Sequence, residues 1–299
     1  MASTYRTRFA PSPTGKMHPG HARTALLTWL QARKQGGAIV MRVEDIDRPR
    51  VVPGSADAIF RDHEWLGLDW DEGPVFQSSR DEAYQRALGQ LEAAGMVYPC
   101  TCSRKEIAAI ASAPHGDEGP RYPGTCRSGV TKPGKPPALR FVFEDPSPGF
   151  EDVLCGPYPE GRTGGDFVLR RADGIWAYQL AVVVDDDEAE ITEVIRGADL
   201  LSSTPRQIAL YRALGYRVPR FAHVGLVVDA DGNRLATRHQ ATSIESLREG
   251  GRSAEQVIGE LACSLGLTAT SAPIRAEELV SAFDMTEISR SPFTWNPTP

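Results

Sequence analysis

The chain lacks any apolar run long enough to cross a bilayer, and Met1–Arg6 hold no apolar segment of the kind a secretory signal requires. Those absences exclude membrane-spanning and secreted classes, and a cytoplasmic location is expected. An excess of positive charge is also missing: 33 Lys and Arg against 39 Asp and Glu give a formal net charge of −6. A nucleic acid would therefore be held by a local basic face and not by overall charge. Arginine-rich segments at Arg121/Arg127/Lys132/Lys135, Arg162/Arg170/Arg171 and Arg234/Arg238/Arg248/Arg252 either supply such a face or are solvated surface charge. Five cysteines, an odd number, do not suggest a disulfide framework in this context. No internal repeat is found.

What is present is an ordinary globular composition, 41% hydrophobic over 299 residues. That length suits one large domain with an insertion, or two modest domains. The segments alternate as strand Thr7–Ala10, helix His18–Lys34, strand Ala38–Val43, helix Ser55–Leu66 and helix Asp81–Ala94. Strands separated by helices predict right-handed crossovers and an α/β, doubly wound parallel sheet with its ligands at the carboxyl ends of the strands. Residues 1–97 and 173–230 read as a split nucleotide-binding core. Residues 98–172, rich in Pro and Gly, read as an insertion, and 231–299 as a C-terminal loop and helical part. Alternating stretches are expected at Ala138–Phe143, Asp166–Arg170 and Trp176–Val184, then Glu190–Val194. A helix is expected over Thr204–Leu214, a strand over Phe221–Val228 and helix over Ser243–Leu265, with Thr268–Pro299 fading into polar sequence.

The run Arg8-Phe9-Ala10-Pro11-Ser12-Pro13-Thr14-Gly15-Lys16-Met17-His18-Pro19-Gly20-His21 leaves the first strand through a Pro- and Gly-rich turn and starts the first helix. A helix N-terminus offers unpaired N–H groups and partial positive charge, and Gly20 removes a Cβ that would hold a polyphosphate off the backbone. His18 and His21 on that first turn are candidate phosphate contacts. Taken alone, His-x-Gly-His is also compatible with a capping or surface role.

Cys100-Thr101-Cys102 precedes Tyr122-Pro123-Gly124-Thr125-Cys126, and the loop between them lets Cys126 return beside the first two thiols. Three sulfurs leave a tetrahedral zinc one ligand short, and His115 or Tyr122 could supply it. The spacing fits a zinc site and equally fits three inert thiols. Burial is the expectation for Cys155 and Cys263.

The opening motif, followed by Arg42-Val43-Glu44-Asp45-Ile46-Asp47-Arg48 after the next strand, resembles the start of the glutamyl-tRNA synthetases, a family of class I aminoacyl-tRNA synthetases. The resemblance runs from about Tyr5 to Leu265. It implies that His18 and His21 bind ATP and stabilise the phosphoryl transition state, with Mg2+ accompanying the nucleotide. It assigns the glutamate pocket to Arg8, Ala10, Ser12, Glu44, Tyr178 and Arg196; without it, Tyr178 reads as a core aromatic and Arg196 as a surface ion-pair partner. It implies one structural zinc per chain on Cys100, Cys102, Tyr122 and Cys126, choosing Tyr122 over His115. At the place of the family's second ATP motif, a Lys-Met-Ser-Lys-Ser-like loop, the chain reads Arg234-Leu235-Ala236-Thr237-Arg238-His239, which departs from the pattern: Arg234 stands for the first lysine, Ala236 for the serine and Thr237 for the second lysine. Gly20, Arg234, Thr237 and Arg238 thus join the expected ATP contacts. Loss of a lysine beside the departing pyrophosphate removes about 2–4 kcal/mol of stabilisation unless Arg234 or Arg238 compensates.

The chain stops where a full synthetase of this family continues into a helical anticodon-binding region. The resemblance therefore implies a short form that activates L-glutamate with ATP and transfers it to the queuosine base in the anticodon stem-loop of tRNA(Asp), as a monomer. A truncated synthetase charging a tRNA 3′ end and a catalytically retired RNA- or metabolite-binding paralogue are the competing expectations.

Overall fold

The computed structural model describes residues 5–103, 105–107, 121–229 and 243–295. β1 (Arg6–Phe9) runs parallel to β2 (Ala38–Val43), in register from Arg6 opposite Ala38 to Phe9 opposite Met41, with α1 (Pro19–Lys34) as the crossover. α2 (Ser55–Trp65) leads to β3 (Glu72–Phe76), which adds in parallel to β2. The β2/β3 register shifts between Val40 and Arg42, beside Gly73. A Cβ on Gly73 would fall 2.4 Å from the Met41 carbonyl oxygen, and its φ is +95°, so glycine is required there.

After α3 (Asp81–Ala93), β4 (Val97–Cys100) pairs antiparallel with β5 (Ala138–Phe141). The hairpin β6 (Phe150–Asp152) and β7 (Gly156–Tyr158) follows, and then β8 (Phe167–Arg170) closes the β4–β5–β8 sheet. Next come α4 (Tyr178–Glu188), β9 (Glu193–Gly197), α5 (Thr204–Leu214) and β10 (Arg220–Val224). β10 lies parallel to β9 on one side and to β6 on the other. β6 and β7, though inside the 98–172 segment, thus join the β9–β10 sheet. The Thr192 N–H donates to the Arg6 carbonyl at 2.9 Å, and Arg8 Nη1 donates to the Ile195 carbonyl at 3.1 Å. Those bonds set β1 beside β9.

Apolar residues collect in two cores. Leu26, Leu27 and Leu30 of α1 meet Val257, Leu261 and Leu265 of the C-terminal part, whereas Leu88 and Leu91 of α3 meet Val183 of α4 and Tyr211 of α5. Burial of such side chains contributes about 1.5–3 kcal/mol each.

Several expectations are corrected. Trp176–Val184, expected as an alternating stretch, is helix α4 from Tyr178 onward, with Trp176 bridging to Arg170 of β8. Leu180 through Asp186 are all buried, so no polar face reveals the 3.6-residue period, and the Val182–Val184 run imitates a strand. The expected strand Phe221–Val228 is split into β10 and β11 (Val227–Val228) at Gly225. A Cβ on Gly225 would lie 2.6 Å from the Ser291 carbonyl oxygen, and Arg23 Nη1 reaches the Gly225 carbonyl at 2.5 Å. Ser243–Leu265 is two helices, α6 (Ile244–Glu249) and α7 (Ala254–Leu265), each opened by a serine capping box. The stretch after Thr268 does not simply fade. It holds α8 (Ala276–Leu279) and β12 (Phe293–Thr294), which pairs with β11, and it buries Phe283, Met285, Ile288 and Trp295.

The basic segments are largely ion-paired. Arg127 meets Asp166, Arg171 meets Asp173 at 2.6 Å, and Arg248 meets Asp62 at 2.9 Å; Arg121 pairs with Asp145, Lys132 with Glu106 and Arg252 with Glu260.

Candidate active site and cysteine cluster

One cleft of about 780 Å³ opens where β1 and β9 end, and it is lined by Arg8, Ala10, Ser12, His18, Gly20, His21, Glu44, Tyr178 and Arg196. Residues spread over 189 positions of sequence are thus brought to one place. The Pro-rich loop after β1 is tied to the segment after β2, because the Glu44 N–H donates to the Pro11 carbonyl at 2.9 Å. Arg234, Thr237 and Arg238 lie outside the described residues.

At the mouth of α1, His18 is the N-cap and Pro19 the first helical residue. His18 Nδ1 accepts from the backbone N–H of Gly20 at 3.1 Å and of His21 at 3.4 Å, and the two imidazoles stack with centroids 3.8 Å apart. Gly20 lines the cleft, and a Cβ there would also meet the His18 ring at 3.0 Å. Gly20 lets His18 fold back over the helix end. His18 is buried beneath the cap, and His21 is exposed to the cleft.

A buried charge network stands behind the other wall. Arg42 Nη1 donates to Asp186 Oδ1 at 2.5 Å and Nη2 to Glu44 Oε1 at 3.1 Å. Arg8 Nε lies 3.5 Å from Asp186, whose second oxygen accepts from the Tyr211 hydroxyl at 3.0 Å. Asp185, next in the chain, accepts from Gln77 at 2.7 Å, from Arg80 Nε at 2.6 Å and from the Tyr84 hydroxyl. Burial raises the Glu44 carboxyl against the pull of Arg42 and Arg8. At Asp186 burial also acts upward, but Arg42 and Arg8 prevail and the carboxyl is lowered.

Arg196, the last residue but one of β9, lines the same cleft. It donates to His223 Nε2 at 3.0 Å, to the Thr204 hydroxyl at 2.8 Å and to the Tyr178 hydroxyl at 3.4 Å. Arg196 is buried and is not a surface ion-pair partner, while Tyr178 is half-buried, packing against the second core and lining the cleft. Sequence reasoning did not single out Arg42, Asp186, His223 or Asp152. Arg42 stood inside the quoted motif two residues before Glu44; the other three carry no local signal, because distant segments bring them in.

The arrangement offers cations and hydroxyls for carboxylates, an acid for an ammonium and a helix N-terminus with two imidazoles for a phosphate. It suits activation of an amino acid by a nucleotide.

Away from the cleft, Cys100, Cys102 and Cys126 bring their sulfurs within 4.8 Å of one another. Cys102 and Cys126 Sγ are 3.6 Å apart, and the Tyr122 hydroxyl lies 3.3 Å from Cys100 Sγ and 3.7 Å from Cys102 Sγ. Around a tetrahedral ion with metal–sulfur bonds near 2.3 Å, sulfur–sulfur edges are about 3.8 Å and sulfur–oxygen edges about 3.5 Å. The three observed separations are compatible with a tetrahedral ion, and the three cysteines are free thiols. The Arg140 guanidinium lies 3.9 Å above the Tyr122 ring centroid and holds the ring in place. Burial opposes the Cys126 thiolate, but the Thr101 N–H, the Tyr122 hydroxyl and the Thr131 N–H bring its pKa down to about 6. His115 lies outside the described residues. The burial expected for Cys155 is corrected: it is exposed, its thiol donating to the His223 carbonyl at 3.3 Å, while Cys263 is half-buried.

Residues 4–297 match the family of class I tRNA synthetases (E and Q), catalytic domain. The chain is 51% identical to the glutamyl-Q tRNA(Asp) synthetase of Symbiobacterium thermophilum over 95% of its own length and 94% of that protein's. It is 47% identical to the glutamyl-Q tRNA(Asp) synthetase of Nitratidesulfovibrio vulgaris, over 96% and 94% of the two chains. Among solved structures, the glutamate-tRNA synthetase of Elizabethkingia anophelis superposes with a TM-score of 0.82 at 27% identity, covering 98% of this chain and 68% of that one. With its cleft geometry, family match and relatives in agreement, the chain belongs to the class I tRNA synthetases of the E and Q type, in the group of the glutamyl-Q tRNA(Asp) synthetases.

Proposed function

We propose that the protein activates L-glutamate with ATP, releasing pyrophosphate, and passes the glutamyl group from the adenylate to the queuosine base in the anticodon of tRNA(Asp). The observation that carries this reading is the meeting of Arg8, Arg196, Glu44 and Tyr178 in one cleft with the His18–His21 helix start. Arg8 and Arg196 receive the two carboxylates of glutamate, Glu44 receives its ammonium, and Tyr178 with Ala10 and Ser12 shapes the pocket. Seated there, the α-carboxylate is held beside the α-phosphate of ATP, and holding both reactants in one geometry supplies much of the rate. His21, with the N-terminus of α1, stabilises charge that grows on the phosphoryl oxygens. Gly20 and His18 shape that helix start. Arg234, Thr237 and Arg238 complete the nucleotide site. Magnesium accompanies ATP and neutralises phosphate charge.

The β1–β2–β3 and β9–β10–β6–β7 sheets act as one doubly wound sheet, with the switch point between β1 and β9 under the cleft. The β4–β5–β8 sheet forms an insertion on this core, stapled by a structural zinc on Cys100, Cys102, Tyr122 and Cys126. The C-terminal helices flank the anticodon stem-loop, and the protein works as a cytoplasmic monomer. No helix of the described residues is long and apolar enough to cross a membrane.

The test is glutamate-dependent ATP–pyrophosphate exchange, followed by transfer of labelled glutamate to tRNA(Asp) with and without queuosine. Transfer only to the modified tRNA supports the reading, whereas charging of tRNA(Glu) overturns it. Arg196→Ala is expected to raise the glutamate KM at least tenfold with the ATP KM little changed; an unchanged glutamate KM removes Arg196 from the pocket.

A further inference from the structure

Arg196 differs from the other buried arginines of the cleft in what it touches. Arg42 contacts Asp186 and Glu44 directly, and Arg8 lies beside Asp186. The acceptors around Arg196 are instead the His223 imidazole, the hydroxyls of Thr204 and Tyr178, and the Leu200 carbonyl at 3.4 Å. Each of these is neutral when His223 is unprotonated. The guanidinium is therefore fixed on three of its nitrogens, and among the described residues no carboxylate pairs with it.

Asp152 lies on the far side of that imidazole from Arg196. Asp152 Oδ1 accepts the backbone N–H groups of Leu154 at 3.0 Å, Cys155 at 2.8 Å and His223 at 3.1 Å. That leaves Oδ2 for His223 Nδ1, 2.5 Å away, and the pair is completely buried. Because Oδ2 only accepts, Nδ1 carries the ring proton and Nε2 presents its lone pair. Arg196 Nε–H, which only donates, demands the same tautomer from the other side of the ring. Thr204 also approaches Nε2, at 3.3 Å, but its hydroxyl proton has the Leu200 carbonyl as an outlet. Burial pushes the His223 pKa down to about 4, in keeping with a ring that holds a single proton at neutral pH.

We propose that Asp152 and His223 form a relay that sets the orientation of Arg196 while leaving its positive charge for a substrate carboxylate, so that His223 is a positioning residue for affinity and for the choice of glutamate over glutamine. A carboxylate in direct contact would orient the guanidinium equally well and would cancel the charge the substrate needs. A neutral imidazole, locked by an acid at its far side, gives the orientation without the cancellation. The inference rests on the amino-acid reading given above and extends it to two residues that lie behind the cleft wall.

Asp152→Asn inverts the relay by design. The three backbone N–H groups keep the amide oxygen on their side, the amide NH2 faces His223 Nδ1, and the ring proton is driven to Nε2, against Arg196. The experiment compares wild type, Asp152→Asn, His223→Ala and His223→Gln by pyrophosphate exchange with glutamate and glutamine. Thermal melting and 15N NMR of the histidine tautomer accompany the kinetics. The expected wild-type tautomer is Nδ1–H, switching to Nε2–H in Asp152→Asn. Both Asp152→Asn and His223→Ala raise the glutamate KM at least tenfold, leave the ATP KM within twofold, and narrow the preference for glutamate over glutamine. His223→Gln, whose amide oxygen reaches the Nε2 position, recovers most of the affinity. An Nε2–H tautomer in the wild type overturns the relay, as does a folded His223→Ala or Asp152→Asn protein whose glutamate KM stays within twofold of wild type. A wild type that neither binds glutamate nor exchanges pyrophosphate overturns the amino-acid reading, and the selectivity role falls with it.

Discussion

Arg42 joins Asp186 at 2.5 Å and Glu44 at 3.1 Å through two nitrogens of one guanidinium. The carboxylate that faces the cleft is thereby hung from the same cation as one that belongs to the core. Arg42 and Asp186 are buried, so neither charge has water to fall back on. Removing the cation leaves Asp186 with the more distant Arg8 and with Tyr211. Arg42→Leu is expected to cost about 3–5 kcal/mol of stability, the usual penalty for breaking a buried pair from one side. Urea unfolding of the two proteins measures it, and a loss under about 1 kcal/mol would mean that water reaches the orphaned acids.

His18 and His21 separate into two roles that substitution can tell apart. As the N-cap of α1, His18 accepts two backbone N–H groups, so His18→Ala should lower stability by about 0.5–2 kcal/mol. His18→Asn keeps an acceptor at the cap and should restore most of that stability without restoring the exchange rate. His21 is exposed and stacks on the His18 ring, so His21→Ala should cost less stability than His18→Ala. It should lower the exchange kcat by roughly 10²–10³, the loss typical of one oxyanion-type donor, at nearly constant glutamate KM. Equal losses in kcat and in glutamate affinity would contradict a role confined to the transition state.

The parts of this fold that announce themselves in sequence are those with a one-sided surface or a strong local turn. β1, α1, β2 and α2 are legible within a residue or two, because the apolar residues of α1 recur at a helical spacing and a Pro- and Gly-rich loop before it and Gly36-Gly37 after it mark its ends. α4 is not, because a helix packed on every side has no amphipathic period. β3, with Gly73 and Pro74 inside it, has little strand character of its own and owes its conformation to β2. The site divides the same way. Arg8, His18, His21 and Glu44 sit in compact motifs, and the family resemblance added Tyr178 and Arg196. Asp152 and His223 are partners only through the β6–β10 pairing, a contact across 71 positions that no local pattern encodes.

Cys102 faces the centre of the sulfur cluster, 3.6 Å from Cys126 Sγ and 3.7 Å from the Tyr122 hydroxyl. With four protein donors and no position left for water, bound zinc would act as a staple for the β4–β5 edge and the loop that carries Cys126. Elemental analysis should find one zinc per chain, and Cys102→Ser should lose it. Chelation should lower the melting temperature of wild type but not of Cys102→Ser. A metal-free protein that melts at the same temperature before and after chelation would retire the site.

Acidification should expose two opposing buried groups. Burial pushes the His63 imidazole down to about 3, so between pH 6.5 and 3 the unfolded chain takes up a proton that the folded chain refuses. The stability tied to His63 is therefore complete above pH 6.5 and lost as pH falls, at up to about 1.4 kcal/mol per pH unit. Asp62 has the opposite sign. Burial pushes its carboxyl up to about 6 despite the pull of Arg248, so here the folded chain binds the proton more tightly. Its contribution is complete below the unfolded pKa of 3.8 and is lost as pH rises through 6. Near pH 5 the two slopes oppose each other. His63→Gln should consequently flatten the acid side of a plot of unfolding free energy against pH, and Asp62→Asn should steepen it by a similar amount, as urea melts between pH 4 and 7 would record. Parallel curves for Asp62→Asn and wild type would show that the Asp62 carboxylate is as well solvated folded as unfolded, with Arg248 and water together offsetting its burial.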